Sequence, residues 1–219
     1  MRTITSLALT AAILAWAAPA RAGIAFDDFG PGDAFDQVEG YVAAGGGSFG
    51  VLTVAAQFTS AASGELSTIR LALAYLAGTN AFTVSLRADD GGMPGSTVLE
   101  SFSLADLPAY GHPYAPESVT SVLHPSLVAG SKYWLEVAAA DTSTLGTWNF
   151  NTTDASGLVS QTGSGTLTGT LPAFAVNVTA VPEPSSLALS GAALACVAAS
   201  ALRRRATAGR IGPLRHRPR

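Results

Sequence analysis

Runs in which apolar and polar residues alternate restrict the fold of this chain more than any other feature. Three runs, at 68–75, 82–88 and 133–139, place apolar residues at every second position. A period of two is typical of a strand that buries one face in a core. Weaker strand candidates lie at 49–58, 98–104, 118–123, 147–151, 158–161 and 174–179.

Turn signals separate these runs, and no helical periodicity competes with them. Segments containing glycine occur at 45–47, 78–80 and 89–95, where positive φ angles cost little. The sequence therefore predicts an all-β fold, a single antiparallel β-sandwich of jelly-roll type. The only cysteine, Cys196, lies outside this region, so the domain must be stabilised by its core rather than by disulfides.

The first 22 residues are typical of a secretory signal peptide. Arg2 gives a positive start, residues 4–18 are apolar, and Ala20 and Ala22 form an A-x-A cleavage site. We therefore expect the secretion translocon and signal peptidase to act on residues 1–22. Residues 23–180 would then form the exported domain.

An uncharged apolar run at 187–202 is typical of a short transmembrane helix. Its sixteen residues would span about 24 Å as a helix, close to the thickness of a hydrocarbon core of about 30 Å. Arg203, Arg204 and Arg205 follow, and the positive-inside rule makes them a cytoplasmic stop. Pro182 and Pro184 favour an extended segment before the helix.

The tail contains, in order, Val181, Pro182, Glu183 and Pro184, then the apolar run, then the arginines. This order of signals resembles the PEP-CTERM sorting tail. The resemblance covers residues 181–205 and implies processing by an exosortase, a membrane protease. It also implies an inner-membrane intermediate, followed by the cell surface or extracellular matrix of a Gram-negative bacterium, in association with exopolysaccharide or biofilm. The alternative is an ordinary single-pass anchor with a proline-rich linker.

Residues 206–219 depart from the pattern of such tails, which usually end at the arginines. This segment contains Arg210, Arg215, Arg217 and Arg219. We interpret it as a basic cytoplasmic extension.

The exported domain is strongly acidic. Between residues 23 and 180 three basic residues stand against fourteen acidic ones, which leaves a net charge of −11. Such a domain is a poor partner for nucleic acid. Asp89 with Asp90, and the aspartates at 27, 28, 33 and 36, raise a weak calcium hypothesis, although no D-x-[DN]-x-[DN]-G loop is present. Solvated loop carboxylates are the alternative, and no other cofactor is expected.

A second resemblance lies in three parts of the chain: residues 85–95 with 98–101, residues 127–135, and residues 146–149. Together they are similar to the exported choice-of-anchor domains, which are β-rich modules found with several surface-attachment signals. The resemblance covers residues 26–178 and implies no catalytic activity.

Residue patterns for catalysis are nearly absent from the exported domain. His112 and His124 each lie next to a proline and outside any metal-ligand spacing, and there is no G-x-S-x-G motif. We therefore expect a non-enzymatic protein.

Trp134 and Trp148 are candidate ligand aromatics, because an exposed indole on a β-sandwich can stack on a sugar ring. A carbohydrate-binding module is thus the alternative function, and core packing is the competing interpretation of each ring. Since Tyr133 and Trp134 point to opposite faces of one strand, one is predicted in the core and the other at an edge or on the surface.

Overall fold

The computed structural model describes residues 22–179, which form fifteen β-strands and one short 3-10 turn at Gly47–Phe49. The strands are β1 (Ala22–Asp27), β2 (Phe35–Gly45), β3 (Val51–Leu52), β4 (Val54–Thr59), β5 (Gly64–Leu71), β6 (Leu73–Ala77), β7 (Ala81–Asp89), β8 (Pro94–Ala105), β9 (Glu117–Thr120), β10 (Ser126–Leu127), β11 (Lys132–Ala139), β12 (Leu145–Asn151), β13 (Ser156–Gln161), β14 (Gly165–Thr170) and β15 (Phe174–Thr179). The predicted all-β class is confirmed.

The strands pair antiparallel in three sheets. A six-stranded sheet has the order β14-β13-β4-β11-β7-β8, and a four-stranded sheet has the order β3-β2-β12-β6. A five-stranded sheet has the order β1-β15-β5-β10, with β9 also paired to β5. The structure therefore differs from the predicted single sandwich in its number of sheets, and the jelly-roll connectivity stays a prediction.

One continuous hydrophobic core joins the three sheets. Strand β11 of the six-stranded sheet contacts β2 and β12, and β4 contacts β1 and β2. The shared cluster contains Val54, Leu86 and Leu135 from the first sheet, Leu73 and Trp148 from the second, and Leu66, Ile69 and Phe174 from the third. The alternation predicted for β7 accounts for part of this core, because Phe82, Val84 and Leu86 are all buried.

The run at 68–75 was predicted as one half-buried strand, and this prediction is wrong. The chain leaves the five-stranded sheet after Leu71, passes through Ala72 and enters the four-stranded sheet at Leu73. All residues from Leu71 to Ala74 are buried, because both sides of the chain are covered at this crossing. The sequence analysis also identified no strand at β1, β2, β10 or β14.

Three backbone hydrogen bonds close a ring at this crossing. The Ala72 N–H donates to the Ala173 carbonyl (3.0 Å), the Ala173 N–H to the Asn149 carbonyl (2.8 Å), and the Asn149 N–H to the Ala72 carbonyl (2.8 Å). The three residues are fully buried. We call this ring the strand junction, and it satisfies three donors and three acceptors that would otherwise be buried without partners.

The predicted signal peptide, sorting tail, transmembrane helix and basic extension lie outside the described residues, apart from Ala22 at the start of β1. Across residues 22–179 no helix has the length and apolar character to cross a membrane.

Replacement of Trp148 should destabilise the domain more than replacement of any exposed residue. Its indole is fully buried, packs 5.6 Å from the Phe174 ring, and donates its N–H to the Ala173 carbonyl at 3.0 Å. We expect Trp148→Ala to lower the free energy of unfolding by about 3–5 kcal/mol, and Trp148→Phe by about 1–2 kcal/mol. Urea denaturation followed by far-UV circular dichroism measures both. The exposed Thr166→Ala is the control, and equal midpoints for all three variants would contradict the packing described here.

Candidate functional site

The sorting tail continues directly from the last strand of the domain. Thr179, at the end of β15, pairs with Ala22 of β1 on one side and with Glu65 of β5 on the other. A side chain on Gly64 would come within 2.5 Å of the Thr179 carbonyl oxygen, so the backbones are closely packed here. Both ends of the exported domain therefore leave from one place, and only Ala180 separates Thr179 from the predicted motif at Val181.

The predicted carboxylate pair Asp89 and Asp90 begins the loop between β7 and β8. One Asp89 oxygen accepts hydrogen bonds from the Gln57 amide (2.6 Å) and the Trp134 indole (2.7 Å), and the other accepts the Gly92 N–H (3.2 Å). Burial alone would raise the pKa of Asp89, but these hydrogen bonds and the charge of Lys132 outweigh it and lower the pKa. Asp89 is therefore ionised, and its hydrogen bonds hold the loop between β7 and β8 in place.

Asp90 is exposed, and its backbone forms a tight turn with Met93 through two hydrogen bonds. Within the described range 22–179, no group of three or more His, Cys, Asp or Glu side chains is placed to hold a metal ion. Calcium binding at Asp89 and Asp90 stays a prediction, and a metal there would compete with the three donors that Asp89 already accepts.

Neither tryptophan presents a ring face to solvent. Trp134 and Trp148 are both 0% exposed, and each indole N–H donates to a protein acceptor, Asp89 and the Ala173 carbonyl respectively. In this conformation the two rings are packing elements rather than a stacking platform. The expectation that one of Tyr133 and Trp134 lies at an edge or on the surface is wrong, since both are buried, Tyr133 at 8% exposure. Ligand stacking on Trp134 or Trp148 stays a prediction.

Trp134 is buried because polar side chains on neighbouring strands cover the outer face of the six-stranded sheet. It pairs with Gln57 of β4 and Arg87 of β7, so these three side chains share one face. Arg87 forms an ion pair with Glu136 at 2.8 Å and also donates to the Gly95 carbonyl at 3.3 Å. This polar row, linking four strands, fixes the β7–β8 loop onto the sheet.

A groove of about 520 Å³ opens to solvent beside the start of β2, and the sequence analysis did not identify it. It is lined in part by Asp33, Phe35, Gln37, Pro113, Tyr114 and Pro116. The Phe35 and Tyr114 rings lie 4.9 Å apart, and the Tyr114 hydroxyl donates to the Asn149 side chain at 3.0 Å. The Gln37 amide oxygen is buried without a hydrogen-bond partner among the described residues.

Asp28 is an unusual buried acid at the far end of β1. Its side chain accepts the Phe174 N–H at 2.7 Å through one oxygen, while the other is buried without a partner within the described part of the chain. Burial raises the pKa of Asp28 to about 7, the nearby Asp27 charge adds to the rise, and the Phe174 hydrogen bond opposes it. Nothing in the local sequence distinguished Asp28 from the solvated acids around it.

The comparison with protein families assigns the tail to a known sorting motif. Residues 180–205 match the family model described as the PEP-CTERM protein-sorting motif. The resemblance seen in the sequence is confirmed, and it supports a PEP-CTERM sorting-signal protein that is exported, transits the membrane and is sorted by an exosortase toward the cell surface. The comparison with curated proteins gives no match for this chain.

The raised pKa of Asp28 gives the domain a stability that falls as pH rises. Below about pH 4 the group is protonated in both states; between about pH 4 and 7 the unfolded chain loses the proton while the folded domain keeps it. This group should therefore remove roughly 4 kcal/mol of stability by pH 8. Asp28→Asn stays neutral and should be the more stable protein at pH 8, with little difference at pH 4.

Urea denaturation at pH 4, 6 and 8 measures this difference. Asp106→Asn, at an exposed position with positive φ that asparagine tolerates, is the matched control. Parallel pH profiles for wild type and Asp28→Asn would show that Asp28 ionises normally in the folded domain.

Proposed function

We propose that the protein is a non-enzymatic cell-surface or extracellular-matrix protein of a Gram-negative bacterium, associated with exopolysaccharide or biofilm. An exosortase processes it near Pro182, Glu183 and Pro184. The observation that carries this proposal is the match of residues 180–205 to the PEP-CTERM sorting motif, directly after the last strand ends at Thr179.

Several buried polar groups already serve the fold, which supports a non-enzymatic role. Glu100 is 3% exposed, and its carboxylate accepts the Ser121 hydroxyl at 2.5 Å and the N–H groups of Val122 and Leu123 at 2.6 and 3.0 Å. Asn151 bonds to the carbonyls of Ala155 and Leu171. Groups held in this way are structural, since their acceptors and donors are occupied within the domain.

The topology fits export before folding. Strand β1 starts at the proposed signal-peptidase site, and within residues 22–179 it pairs with β15, the last strand of the domain. The five-stranded sheet is therefore complete only after the translocon has released residues up to Thr179. In the proposed pathway the chain then pauses on the helix at 187–202, with Arg203, Arg204 and Arg205 on the cytoplasmic side.

Replacing Pro182, Glu183 and Pro184 together with alanine should block processing by the exosortase. The apolar run stays intact, so membrane insertion should continue, while the extended and recognised segment is lost. The variant should accumulate in the inner membrane at the mass of the unprocessed chain, as should wild type in a strain lacking the exosortase. Immunoblotting of membrane and surface fractions measures this.

The double variant Ser185→Ala with Ser186→Ala is the matched control, because it changes the same linker without changing the motif. Mass spectrometry gives the opposing outcome. Peptides from residues 206–219 on the mature surface protein would identify the tail as a permanent anchor.

A second candidate function, carbohydrate binding, is favoured by the open groove at Gln37 and Tyr114. The half-buried Tyr114 ring lines this groove beside the side chains of Gln37 and Asp33, of which Asp33 also forms an ion pair with Arg70 at 2.6 Å. An aromatic ring beside polar side chains is typical of a shallow sugar site. Affinity electrophoresis in gels containing the native exopolysaccharide should then show retardation that Gln37→Ala reduces. The exposed Thr168→Ala should be retarded like wild type, and equal mobility with and without polysaccharide would remove this candidate.

A further inference from the structure

An uncharged loop with exposed apolar side chains lies between β9 and β11. Residues 118–131 contain no Asp, Glu, Lys or Arg, in a domain that otherwise carries many acids. Val122, Leu123 and Val128 are 79%, 69% and 54% exposed. We call residues 121–131 the apolar loop.

The apolar loop is held in shape by hydrogen bonds, and while Leu127 packs in the core, Val122, Leu123 and Val128 stay outside it. The buried Glu100 carboxylate accepts the N–H groups of Val122 and Leu123, and the Tyr133 hydroxyl accepts the Val128 N–H at 3.0 Å. Beyond Val128, the Ala129 N–H donates to the Ser63 hydroxyl at 3.0 Å. A loop fixed in this way presents its exposed apolar residues without the entropy cost of ordering them on binding.

This loop lies at the end of the domain from which the sorting tail leaves. Ser126 of β10 and Thr179 of β15 both pair with Glu65 of β5, on its two sides. The Leu66 N–H donates to the Pro125 carbonyl at 2.9 Å, which extends the contact along the loop. Ile24, 60% exposed, lies beside this end on β1.

The chain between this end and the predicted membrane helix is short. Seven residues, 180–186, join Thr179 to the apolar run at 187. Even fully extended they reach only about 25 Å. While the helix is in the bilayer, this end of the domain is therefore held close to the membrane surface.

We propose that the apolar loop docks on the outer surface of the lipid bilayer during the anchored stage, with Val122, Leu123 and Val128 entering the interfacial region. The proposal rests on the proposed function, since it requires the helix at 187–202 to be in the membrane. Lys132, which follows the loop directly and is exposed, suits the lipid phosphates at the same depth. Apolar side chains inserted among the headgroups add binding energy to the anchor.

Fluorescence of the full chain in phospholipid vesicles tests this directly. In a Cys196→Ser background, single cysteines at Val122, Leu123 or Val128 carry an environment-sensitive label, and the vesicles contain lipids with a nitroxide quencher. The matched control is Val51→Cys, 62% exposed on β3. Val51 pairs with Gly45 of β2, and the Gly45 N–H donates to the Thr144 carbonyl. Thr144 follows the end of β11 that is opposite the apolar loop. Quenching should be at least about twofold stronger at the loop than at Val51, with a blue-shifted emission.

Equal quenching at the loop and at Val51, in chains that resist carbonate extraction, overturns the docking proposal and leaves the anchor intact. Chains that do not incorporate into vesicles overturn both the docking and the proposed function. Quenching at the loop that appears only when the exosortase is also in the vesicles assigns the surface to a protein partner and overturns lipid docking. The double variant Val122→Ser with Leu123→Ser should lower quenching at Val128 while circular dichroism stays unchanged, because both replaced side chains are exposed.

Discussion

The strand junction formed by Ala72, Ala173 and Asn149 is the constraint on which the remaining structure depends. Each residue donates its N–H to one partner and accepts from the other, and all three are fully buried. A closed ring of this kind satisfies every backbone group of the crossing in a place that water cannot reach. The Ala173 carbonyl also accepts the Trp148 indole N–H, so the largest side chain of this region is fixed to the same point. Small side chains at 72 and 173 allow the three backbones to meet.

The junction also determines the path to the sorting tail. Phe174 follows Ala173 directly and begins β15, which β1 and β5 hold on both sides up to Thr179. At the start of this strand the Phe174 N–H donates to the buried Asp28 carboxyl, and at its end the Thr179 carbonyl lies against Gly64. The last strand is thus fixed at both ends, which means that the recognised motif begins two residues beyond a rigid point. Strand pairing thus determines the point in the domain at which the tail begins.

The features that the sequence predicted are local, and those that it missed depend on long-range packing. The sorting tail is a linear signal, and the alternation at 82–88 describes β7 because only one face of that strand meets the core. At 68–75 the alternation continues through Ala72 although the chain changes sheets there, and only its hydrogen bonds with residues 149 and 173 reveal the change. Burial of Trp134 depends on Gln57 and Arg87 from other strands. Strand β2 contains glycine, and β14 contains glycine and threonine, and neither shows clear alternation. The groove at Gln37 joins segments about 80 residues apart.

The distribution of charge gives the domain two different ends. Five of its fourteen acids lie in residues 27–39, at or beyond the far end of β1 from Ala22. Two of its three basic residues lie in ion pairs, Arg70 with Asp33 and Arg87 with Glu136. Lys132 is in no ion pair within residues 22–179, and it directly follows the uncharged apolar loop. Repulsion between the acidic end and an anionic surface, such as a bilayer or an acidic polysaccharide, would turn that end outward. The end that carries the sorting tail has the exposed Glu65, and Lys132 is near enough to Asp89 to help lower its pKa, but its apolar loop contains no acid. Chain connectivity and the uncharged loop therefore favour the same orientation.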